Sequence, residues 1–315
     1  MYRIGVDLGG TNISVGVVDE NNNIIGRGKE KTRASRSAEE IFESIKDAIN
    51  AAVTDSGVEM KDVKSIGVGT PGSVDKENGI IVYANNLNFD HINAREMLSK
   101  YFDCDIFIDN DANCAALGEA VAGAGNGKNN FVAVTLGTGV GSGVIVDGKI
   151  VTGCNDAGGE CGHMVIEVDG ESCTCGRKGC WEAYASATAL IRQTKEAMLN
   201  NKDSLMWSLC GGDVNNAGGR TAFDAMRMGD ATGKAVVDKY IKYISVGTVN
   251  LVNALQPELL CFGGGICNEG DTLLDPIREY VKRERYSRYA DKQTEICRAV
   301  LGNDAGIIGA ALLDR

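Results

Sequence analysis

A glycine-rich segment that occurs twice is the feature that most constrains the fold of this chain. LGGTNISVGVVD at residues 8–19 aligns with LGTGVGSGVIVD at residues 136–147, a shift of 128 positions. Such a shift is too long for a solenoid, whose repeats are about 20–50 residues. Two explanations remain open: a duplicated domain whose halves each present a glycine-rich β-turn, or two unrelated glycine hairpins that align by chance. We favour duplication.

Apolar patterning around these segments predicts alternating strands and helices. Short apolar runs predict strands at residues 2–7, 105–109 and 258–264, and residues 63–72 predict a strand that runs into a glycine loop. Ser37 with Glu40 three positions later matches a capping box, and the apolar residues that follow repeat on one helical face. Further helices are expected near 112–123, 183–199, 233–255 and 305–313. This alternation predicts an α/β protein.

Composition is that of a folded globular protein rather than a flexible chain. The 315 residues include 41 glycines and only 3 prolines, which favours close backbone approaches inside a scaffold. The length allows two lobes, and no low-complexity linker separates them. The two halves are therefore expected to pack together around a cleft.

Charge and hydropathy argue against several classes of partner, and cysteine usage indicates the cellular compartment. The net charge of −11 disfavours nucleic acids and anionic membrane surfaces, which would be repelled. No uninterrupted apolar stretch reaches the length of a membrane span, and the start MYRIGVDLGG lacks the pattern of a secretory signal. The eleven cysteines are an odd number, and most stand singly in apolar contexts, as buried thiols do in a reducing compartment. We predict a cytoplasmic location.

Three glycine-rich loops are candidates for nucleotide binding. Glycines let backbone N–H groups approach phosphate oxygens, and an acid such as Asp7 could orient a hydrated Mg²⁺. Neither a dinucleotide-binding fingerprint nor a P-loop occurs in the right context. One such loop is weak evidence, but three in one chain favour a nucleotide held between two lobes. The loops are DLGGTN (7–12), GTGVGSG (137–143) and GGGI (263–266).

Asn110 and Asp111 lie where a predicted strand passes into a helix. Two interpretations are open. Either residue could simply cap the helix. Alternatively, Asp111 is a general base for a substrate hydroxyl, beyond the carboxyl end of a strand where ligands commonly bind.

A histidine and three cysteines have the composition of a structural zinc site. His163 is one of two histidines in the chain, and it precedes Cys173, Cys175 and Cys180. Four N and S ligands close a tetrahedral shell, so the ion would stabilise a loop rather than activate water. A disulfide would leave an odd cysteine, and a redox pair would more commonly be Cys-x-x-Cys. We predict structural Zn²⁺.

Two carboxylates bracket this cluster. Glu160 precedes His163, and Glu182 follows Cys180. Rigidly held carboxylates can accept hydrogen bonds from neighbouring sugar hydroxyls. His163 could bind zinc through one ring nitrogen and donate to a sugar from the other.

These motifs together resemble the ROK family of sugar kinases and repressors. The resemblance runs from Asp7 to the end of GNDAGIIGAALL (302–313), and the pairing of GGExGHM with CxCGxxGCxE is highly specific to the family. Within the family the chain most resembles the glucokinases. The matching segments are DLGGTN, NNLNF, NDANCAALGE, GTGVGSGVI, GGECGHMVIE and CTCGRKGCWEAYASATAL.

The resemblance implies a two-lobed, actin-like ATPase fold of duplicated ribonuclease-H-like domains with a zinc-binding insert. The small lobe would comprise residues 1–118, with the C-terminal helix 302–315 packing back on it. The large lobe would comprise residues 119–301, with the zinc loop at 154–182. Cys161 departs from the family, which usually carries an apolar residue there, and we interpret it as a packing residue.

The resemblance also implies a role for each site residue. Asp111 would be the catalytic base. Sugar contacts are expected from Gly72, Asn110, Asp111, Glu160, His163 and Glu182. Nucleotide contacts are expected from Asp7, Gly9, Gly10, Thr11, Asn12, Gly137, Thr138, Gly139, Gly264 and Gly265. The zinc ligands would be His163, Cys173, Cys175 and Cys180.

The implied activity is transfer of a phosphoryl group from ATP with Mg²⁺ to the 6-hydroxyl of D-glucose. Other hexoses are open alternatives: N-acetylglucosamine, N-acetylmannosamine, mannose or fructose. A sugar-sensing repressor is a more remote alternative, because such proteins carry a DNA-binding extension before the phosphate loop. The family favours a homodimer or homotetramer, and the phosphoryl donor could also be ADP or polyphosphate.

Overall fold

The computed structural model describes all residues, 1–315, and contains three sheets and ten α-helices. The strands are β1 Tyr2–Leu8, β2 Asn12–Val18, β3 Ile24–Lys31, β4 Val63–Thr70, β5 Ser73–Asp75, β6 Ile80–Ala84, β7 Phe89–Asn93, β8 Asp105–Asn110, β9 Phe131–Leu136, β10 Val140–Val146, β11 Lys149–Ile150, β12 Leu259–Gly263 and β13 Glu295–Arg298. The helices are α1 Ala38–Ser56, α2 Ala94–Ser99, α3 Asp111–Ala122, α4 Glu182–Ala185, α5 Ala187–Asn200, α6 Met206–Leu209, α7 Thr221–Arg227, α8 Ala231–Leu255, α9 Asp271–Glu284 and α10 Asp304–Ala311.

The first sheet has the order β3-β2-β1-β4-β8. β1 is antiparallel to β2 and parallel to β4, and β4 is parallel to β8. In this register Asp7 pairs with Gly69, and Thr70 pairs with Asn110. Because parallel strands end at the same edge, Asp7 near the end of β1 and Asn110 at the end of β8 lie at one edge of the sheet, with β4 between the two strands.

The second sheet repeats this arrangement, with the order β11-β10-β9-β12-β13. The hairpin strands β9 and β10 take the places of β1 and β2, and the parallel pair β12 and β13 takes the places of β4 and β8. The shared strand order supports the duplication hypothesis. A third sheet, β5-β6-β7, together with α9 and β13, was not predicted from the sequence.

Helix α1 confirms the predicted capping box. The Ser37 hydroxyl accepts from the Glu40 amide, and the Glu40 carboxylate accepts from the Ser37 amide. A left-handed Gly57, at a φ of 70°, ends the helix. The predicted apolar face, Ile41, Ile45, Ala48, Ile49 and Ala52, is buried, and Phe42 is buried as well.

Helices α3 and α10 pack at very short range through glycines. A Cβ on Gly118 would lie 2.2 Å from the carbonyl oxygen of Ala305, and one on Gly309 would lie 1.6 Å from that of Cys114. The buried carboxylate of Glu119 accepts from the amides of Val300 and Leu301. The C-terminal segment is thus bound to the middle of the chain by contacts that exclude larger side chains.

Contacts divide the chain into two compact units. One comprises Met1–Ala133, Ser142–Gly159 and Ala299–Arg315, and the other comprises Val134–Gly141 and Glu160–Arg298. The lobe boundaries expected from the sequence stay a prediction. None of the helices combines the length and the apolar character needed to cross a bilayer.

Candidate active site

In the first unit, two acids lie at the carboxyl edge of the first sheet. Asp7 is in β1 and Asp111 is the first residue of α3. Burial, and then the negative charge of Asp111, raise the pKa of Asp7 to about 6. Burial also raises the pKa of Asp111, against the opposing effect of backbone hydrogen bonds. A partly desolvated carboxylate of raised pKa is a stronger proton acceptor than an exposed one.

The structure assigns the helix cap to Asn110. Its Oδ1 accepts from the amide of Ala112 at 2.8 Å and from that of Asn113 at 3.3 Å. Its Nδ2 donates to the carbonyl oxygen of Gly72 at 3.0 Å. Asn110 caps α3, so the cap does not depend on Asp111. Oδ1 of Asp111 also accepts from the Ala112 amide, at 2.8 Å.

Behind this turn lies a third acid that sequence reasoning missed. Asp109 is 0% exposed, and its Oδ1 accepts from the Asn110 amide at 2.7 Å and from Nδ2 of Asn113 at 2.9 Å. Its Oδ2 accepts from the Lys76 ammonium. The run of Asp109, Asn110 and Asp111 after an apolar strand was a signal for it, whereas nothing in the sequence pointed to Lys76.

The first glycine loop joins β1 to β2. The Gly9 amide donates to the carbonyl oxygen of Asn12 at 3.0 Å, and the Thr32 hydroxyl donates to the carbonyl oxygen of Gly9 at 2.6 Å. Lys31 donates to Oδ1 of Asn12 at 2.8 Å. Asp7, Gly9, Gly10, Thr11 and Asn12 therefore lie together, on one continuous strand and turn.

Gly72 and Gly306 are glycines that the packing of this unit requires. Gly72 has a φ of 90°, and a Cβ there would lie 2.0 Å from the carbonyl oxygen of Tyr83. A Cβ on Gly306 would lie 3.3 Å from the Asp7 carboxyl carbon. Helix α10 therefore approaches Asp7 closely at Gly306, where a larger residue would require the Asp7 side chain to move by a few tenths of an ångström.

In the second unit, the glycine loop 137–139 lies against the start of α5. The Ala187 amide donates to the carbonyl oxygen of Gly137 at 2.8 Å, and the Thr188 hydroxyl donates to that of Thr138 at 2.8 Å. On the neighbouring strand, Gly264 has a φ of 96° and approaches Leu136, where a Cβ would lie 2.3 Å from the carbonyl oxygen. A Cβ on Gly265 would meet nothing within 4 Å.

Glu182 joins this glycine loop to the cysteine-rich segment. Its Oε2 accepts from the Val140 amide at 3.0 Å, and a Cβ on Gly139 would lie 2.2 Å from the same oxygen. Its Oε1 accepts from the Thr174 hydroxyl at 3.2 Å and lies 3.6 Å from the Cys173 sulfur. The sequence suggested only a sugar contact for Glu182, and its link to the loop was not predicted.

The four predicted zinc ligands converge. One donor atom from each of His163, Cys173, Cys175 and Cys180 lies within 4.8 Å of the other three. Nδ1 of His163 is 3.6 Å from the Cys173 sulfur, and the Cys175 and Cys180 sulfurs are 3.7 Å apart. A tetrahedral zinc ion with bonds of about 2.0–2.3 Å spaces its ligand atoms about 3.6–3.8 Å apart. The residues fit Zn²⁺.

The cluster is anchored to the core of the second unit. Trp181 is 0% exposed, and its indole N–H donates to the carbonyl oxygen of Tyr243 in α8 at 2.9 Å. The indole ring lies against Gly247, where a Cβ would be 2.1 Å from it. Cys161 is buried and lies outside the donor set, which supports a packing role. Glu160 precedes the 3₁₀ turn Cys161–His163, and the His163 amide donates to its carbonyl oxygen.

The predicted residues thus form two groups, one in each unit. In the first unit, Asp7 interacts with Asp111, and Asn110 bonds Gly72. In the second unit, the zinc ligands, Glu182 and the loop 137–140 form one connected group. No cysteine is disulfide-bonded.

Comparison with known proteins gives consistent matches over nearly the whole chain. A model of the ROK family matches residues 3–315. The glucokinase of Thermotoga maritima is 36% identical over 309 residues, which covers 98% of this chain and 95% of that protein. The glucokinase of Halalkalibacterium halodurans is 37% identical, with coverages of 99% and 94%. The solved structure of a ROK family glucokinase from Streptomyces griseus in complex with glucose and AMPPNP has a TM-score of 0.82 and 33% identity, with 99% of each chain covered.

Proposed function

The chain belongs to the ROK family, and from this premise we propose that it is a glucokinase, which transfers the terminal phosphoryl group of ATP to D-glucose. The observation that carries the proposal is the full-length likeness to glucokinases, one of them solved with glucose and AMPPNP. The α/β architecture with two sheets of equal strand order is consistent with an actin-like ATPase fold.

In this proposal Asp111 is the general base. It accepts the proton of the glucose 6-hydroxyl as that oxygen bonds to the γ-phosphorus, and the bond from phosphorus to the ADP oxygen breaks. The raised pKa of Asp111 supports this role, because a desolvated carboxylate accepts a proton more readily. Phosphoryl transfer has a loose transition state, so most of the acceleration is expected from alignment and charge stabilisation.

The sugar is proposed to bind to the residues that the family resemblance implies. Glucose hydroxyls would contact Gly72, Asn110, Asp111, Glu160, His163 and Glu182. Oδ1 of Asn110 already accepts from the amides of Ala112 and Asn113, and one Nδ2 hydrogen is donated to Gly72, so a sugar contact would use the second Nδ2 hydrogen as donor. Glu182 would likewise contact the sugar while it accepts from Val140.

ATP is proposed to bind to the glycine loops. Its phosphates would lie against the loops of Gly9, Gly10, Thr11 and Asn12 and of Gly137, Thr138 and Gly139, in which the Gly9 and Gly137 amides already donate to the carbonyl oxygens of Asn12 and Gly139. Its adenosine would lie near Gly264 and Gly265. Mg²⁺, when bound, offsets the phosphate charge, and Asp7 would orient its hydration shell. The open space beside Gly265 supports the adenosine assignment.

Zinc is proposed to hold the cysteine-rich segment through His163, Cys173, Cys175 and Cys180. When bound, the ion supplies structural stability and no nucleophile, because four protein ligands close its shell.

We further propose that the protein is cytoplasmic and forms a homodimer or homotetramer.

The test is an assay of hexose phosphate formation across hexoses, with ATP, ADP or polyphosphate as donor. We expect the highest kcat/KM with glucose and ATP. Asp111→Ala is expected to lower kcat by about 10²–10⁴-fold. Zinc content and glucose binding should persist, because the zinc ligands lie in a separate segment.

Three outcomes would contradict the proposal in different ways. A higher kcat/KM for an N-acetylated hexose, mannose or fructose would reject glucose as the substrate and keep the kinase chemistry. Activity of Asp111→Ala within tenfold of wild type would reject the base. Inactive wild-type protein with every hexose would reject the enzyme itself.

A further inference from the structure

A buried lysine–aspartate pair lies beneath the turn that carries Asp111, and the proposed chemistry leaves both residues unused. Asp109, near the end of β8, is 0% exposed. Its Oδ2 accepts from the ammonium of Lys76, which follows β5 and is 30% exposed. A carboxylate buried to this extent stays ionised only with a cation or several hydrogen-bond donors beside it.

The second oxygen of Asp109 holds the backbone on both sides of Asp111. Oδ1 accepts from the amide of Asn110 at 2.7 Å and from Nδ2 of Asn113 at 2.9 Å. These donors belong to the residue before Asp111 and to the residue two positions after it. One carboxylate therefore restrains the strand end and the first turn of α3 together.

Lys76 is itself held in place by its main chain. Its amide donates to Oδ2 of Asp156 at 3.0 Å, and its carbonyl oxygen accepts from Arg95 at 2.9 Å. Nε of Arg95 also donates to the carbonyl oxygen of Ile106, in β8, at 3.0 Å. Arg95 thus links the turn that carries Lys76 to β8, the strand that carries Asp109, through hydrogen bonds to both.

We propose that Lys76 and Asp109 are positioning residues for the base, acting through Asn110 and Asn113 without touching the substrate. This inference rests on the proposed function of Asp111. Lys76 pairs with Asp109, and the carboxylate fixes, through Asn110 and Asn113, the backbone from which Asp111 projects. A displacement of about 1 Å at a reacting group can lower the rate about 10²-fold. Loss of the pair should therefore lower kcat rather than weaken glucose binding.

The kinetic test compares this pair with a matched buried pair elsewhere in the same unit. Asp314 is 3% exposed and pairs with Arg3 and Lys64, far from Asp111 in the sequence. We expect Asp109→Asn and Lys76→Met to lower kcat by about 10–100-fold with the KM for glucose within about threefold. Lys76→Arg should restore most of kcat. Asp314→Asn should lower Tm as much as Asp109→Asn and leave kcat within about twofold.

A second measurement tests whether the pair stabilises the turn at residues 110–113, independently of enzymatic activity. Amide hydrogen exchange of the wild-type protein and of Asp109→Asn, Lys76→Met and Asp314→Asn reports protection of residues 110–113. Faster exchange there in the first two variants and unchanged exchange in the third supports the proposal. Asp109→Asn keeps an acceptor for Asn110, so it carries the test if Lys76→Met does not fold.

The inference would be overturned if Asp109→Asn raised KM with kcat unchanged, or if Asp314→Asn lost as much kcat. Unchanged protection of residues 110–113 in Asp109→Asn would also overturn it. If the wild-type protein phosphorylated no hexose, the proposed function would fail. The exchange data would then still decide whether the pair holds the turn.

Discussion

At the scale of single residues, burial disfavours the ionised forms of Asp7 and Asp111, the two acids at the edge of the first sheet. Asp7 lies where burial and Asp111 both oppose its ionisation, so its pKa is about 6 instead of the ordinary 3.8. The folded state binds this proton more tightly than the unfolded state does. The free energy of unfolding therefore falls as the pH rises from about 4 to about 6. A carboxylate kept under such conditions is typical of a functional site.

Asp7→Asn is accordingly expected to stabilise the protein above pH 6, by on the order of 3 kcal/mol, because a neutral amide escapes the cost of ionisation. The gain should shrink as the pH falls from about 6 to about 4 and vanish below that, where Asp7 becomes protonated in the unfolded state as well. Urea unfolding from pH 4 to pH 8 without nucleotide or Mg²⁺ measures it, with the exposed Asp103→Asn as control. A variant no more stable than wild type at pH 7.5 would contradict the assignment. Kinase activity should fall sharply if Asp7 orients Mg²⁺.

At the scale of elements, the cysteine-rich segment and the glycine loop 137–139 form one connected structure. Glu182 is the link, since one of its oxygens accepts from Val140 and the other faces Cys173 and Thr174. The loop is also bonded to the start of α5, which follows Glu182 closely along the chain. Disorder in the zinc site is therefore expected to reach the loop that the proposal assigns to phosphate.

Cys175→Ser tests this connection. We expect zinc content to fall from about one ion per chain to near zero, because a closed site needs all four ligands. Tm should fall, and the KM for ATP should rise along with the KM for glucose, by about three- to tenfold each. Metal analysis, thermal melting and steady-state kinetics measure these effects.

Cys154→Ser is the matched control, since Cys154 is exposed and lies outside the ligand set. Full zinc content in Cys175→Ser would reject the ligand assignment. An unchanged KM for ATP in the zinc-free variant would reject the connection through Glu182.

At the scale of the whole molecule, the two ends of the chain meet in one unit. Helix α10 packs on α3 and on β1 through backbone contacts that only glycine permits. Gly5 of β1 lies so close to α10 that a Cβ would be 1.8 Å from the carbonyl oxygen of Ile307. The carboxylate of Glu119 adds hydrogen bonds to the segment that precedes α10. The unit that carries Asp7 and Asp111 is thus completed only by the last residues of the sequence.

Gly309→Ala should therefore destabilise the protein by about 3 kcal/mol, because a methyl group has no space at 1.6 Å from the Cys114 carbonyl oxygen. Gly218→Ala, at a glycine with nothing within 4 Å, should change the free energy of unfolding by less than about 0.5 kcal/mol. Equilibrium urea denaturation of both variants measures the difference. Equal stability of the two would show that α10 is free to shift.

Much of this molecule could be predicted from the sequence because the responsible interactions are local. The capping box of α1 spans four residues, and alternation or continuity of apolar residues defines β1, β4 and β8. The zinc ligands lie within eighteen positions of one another, from residue 163 to residue 180, and their side-chain chemistry identifies them before any folding is considered. The short strands β5–β7 and β13 escaped prediction because few residues carry their pattern.

Tertiary structure alone decided which side chains meet across long sequence separations. Sheet register places Asp7 beside Asp111, and the β5–β6 turn carries Lys76 to Asp109. Packing likewise places Glu182 on the glycine loop some forty residues earlier, through its bond to Val140. Residues far apart in sequence have no local pattern that records their contact, since strand order and helix packing determine it. Local sequence patterns therefore determined most of the elements and the predicted metal ligands, whereas the tertiary fold determined how the turn that carries Asp111 is supported.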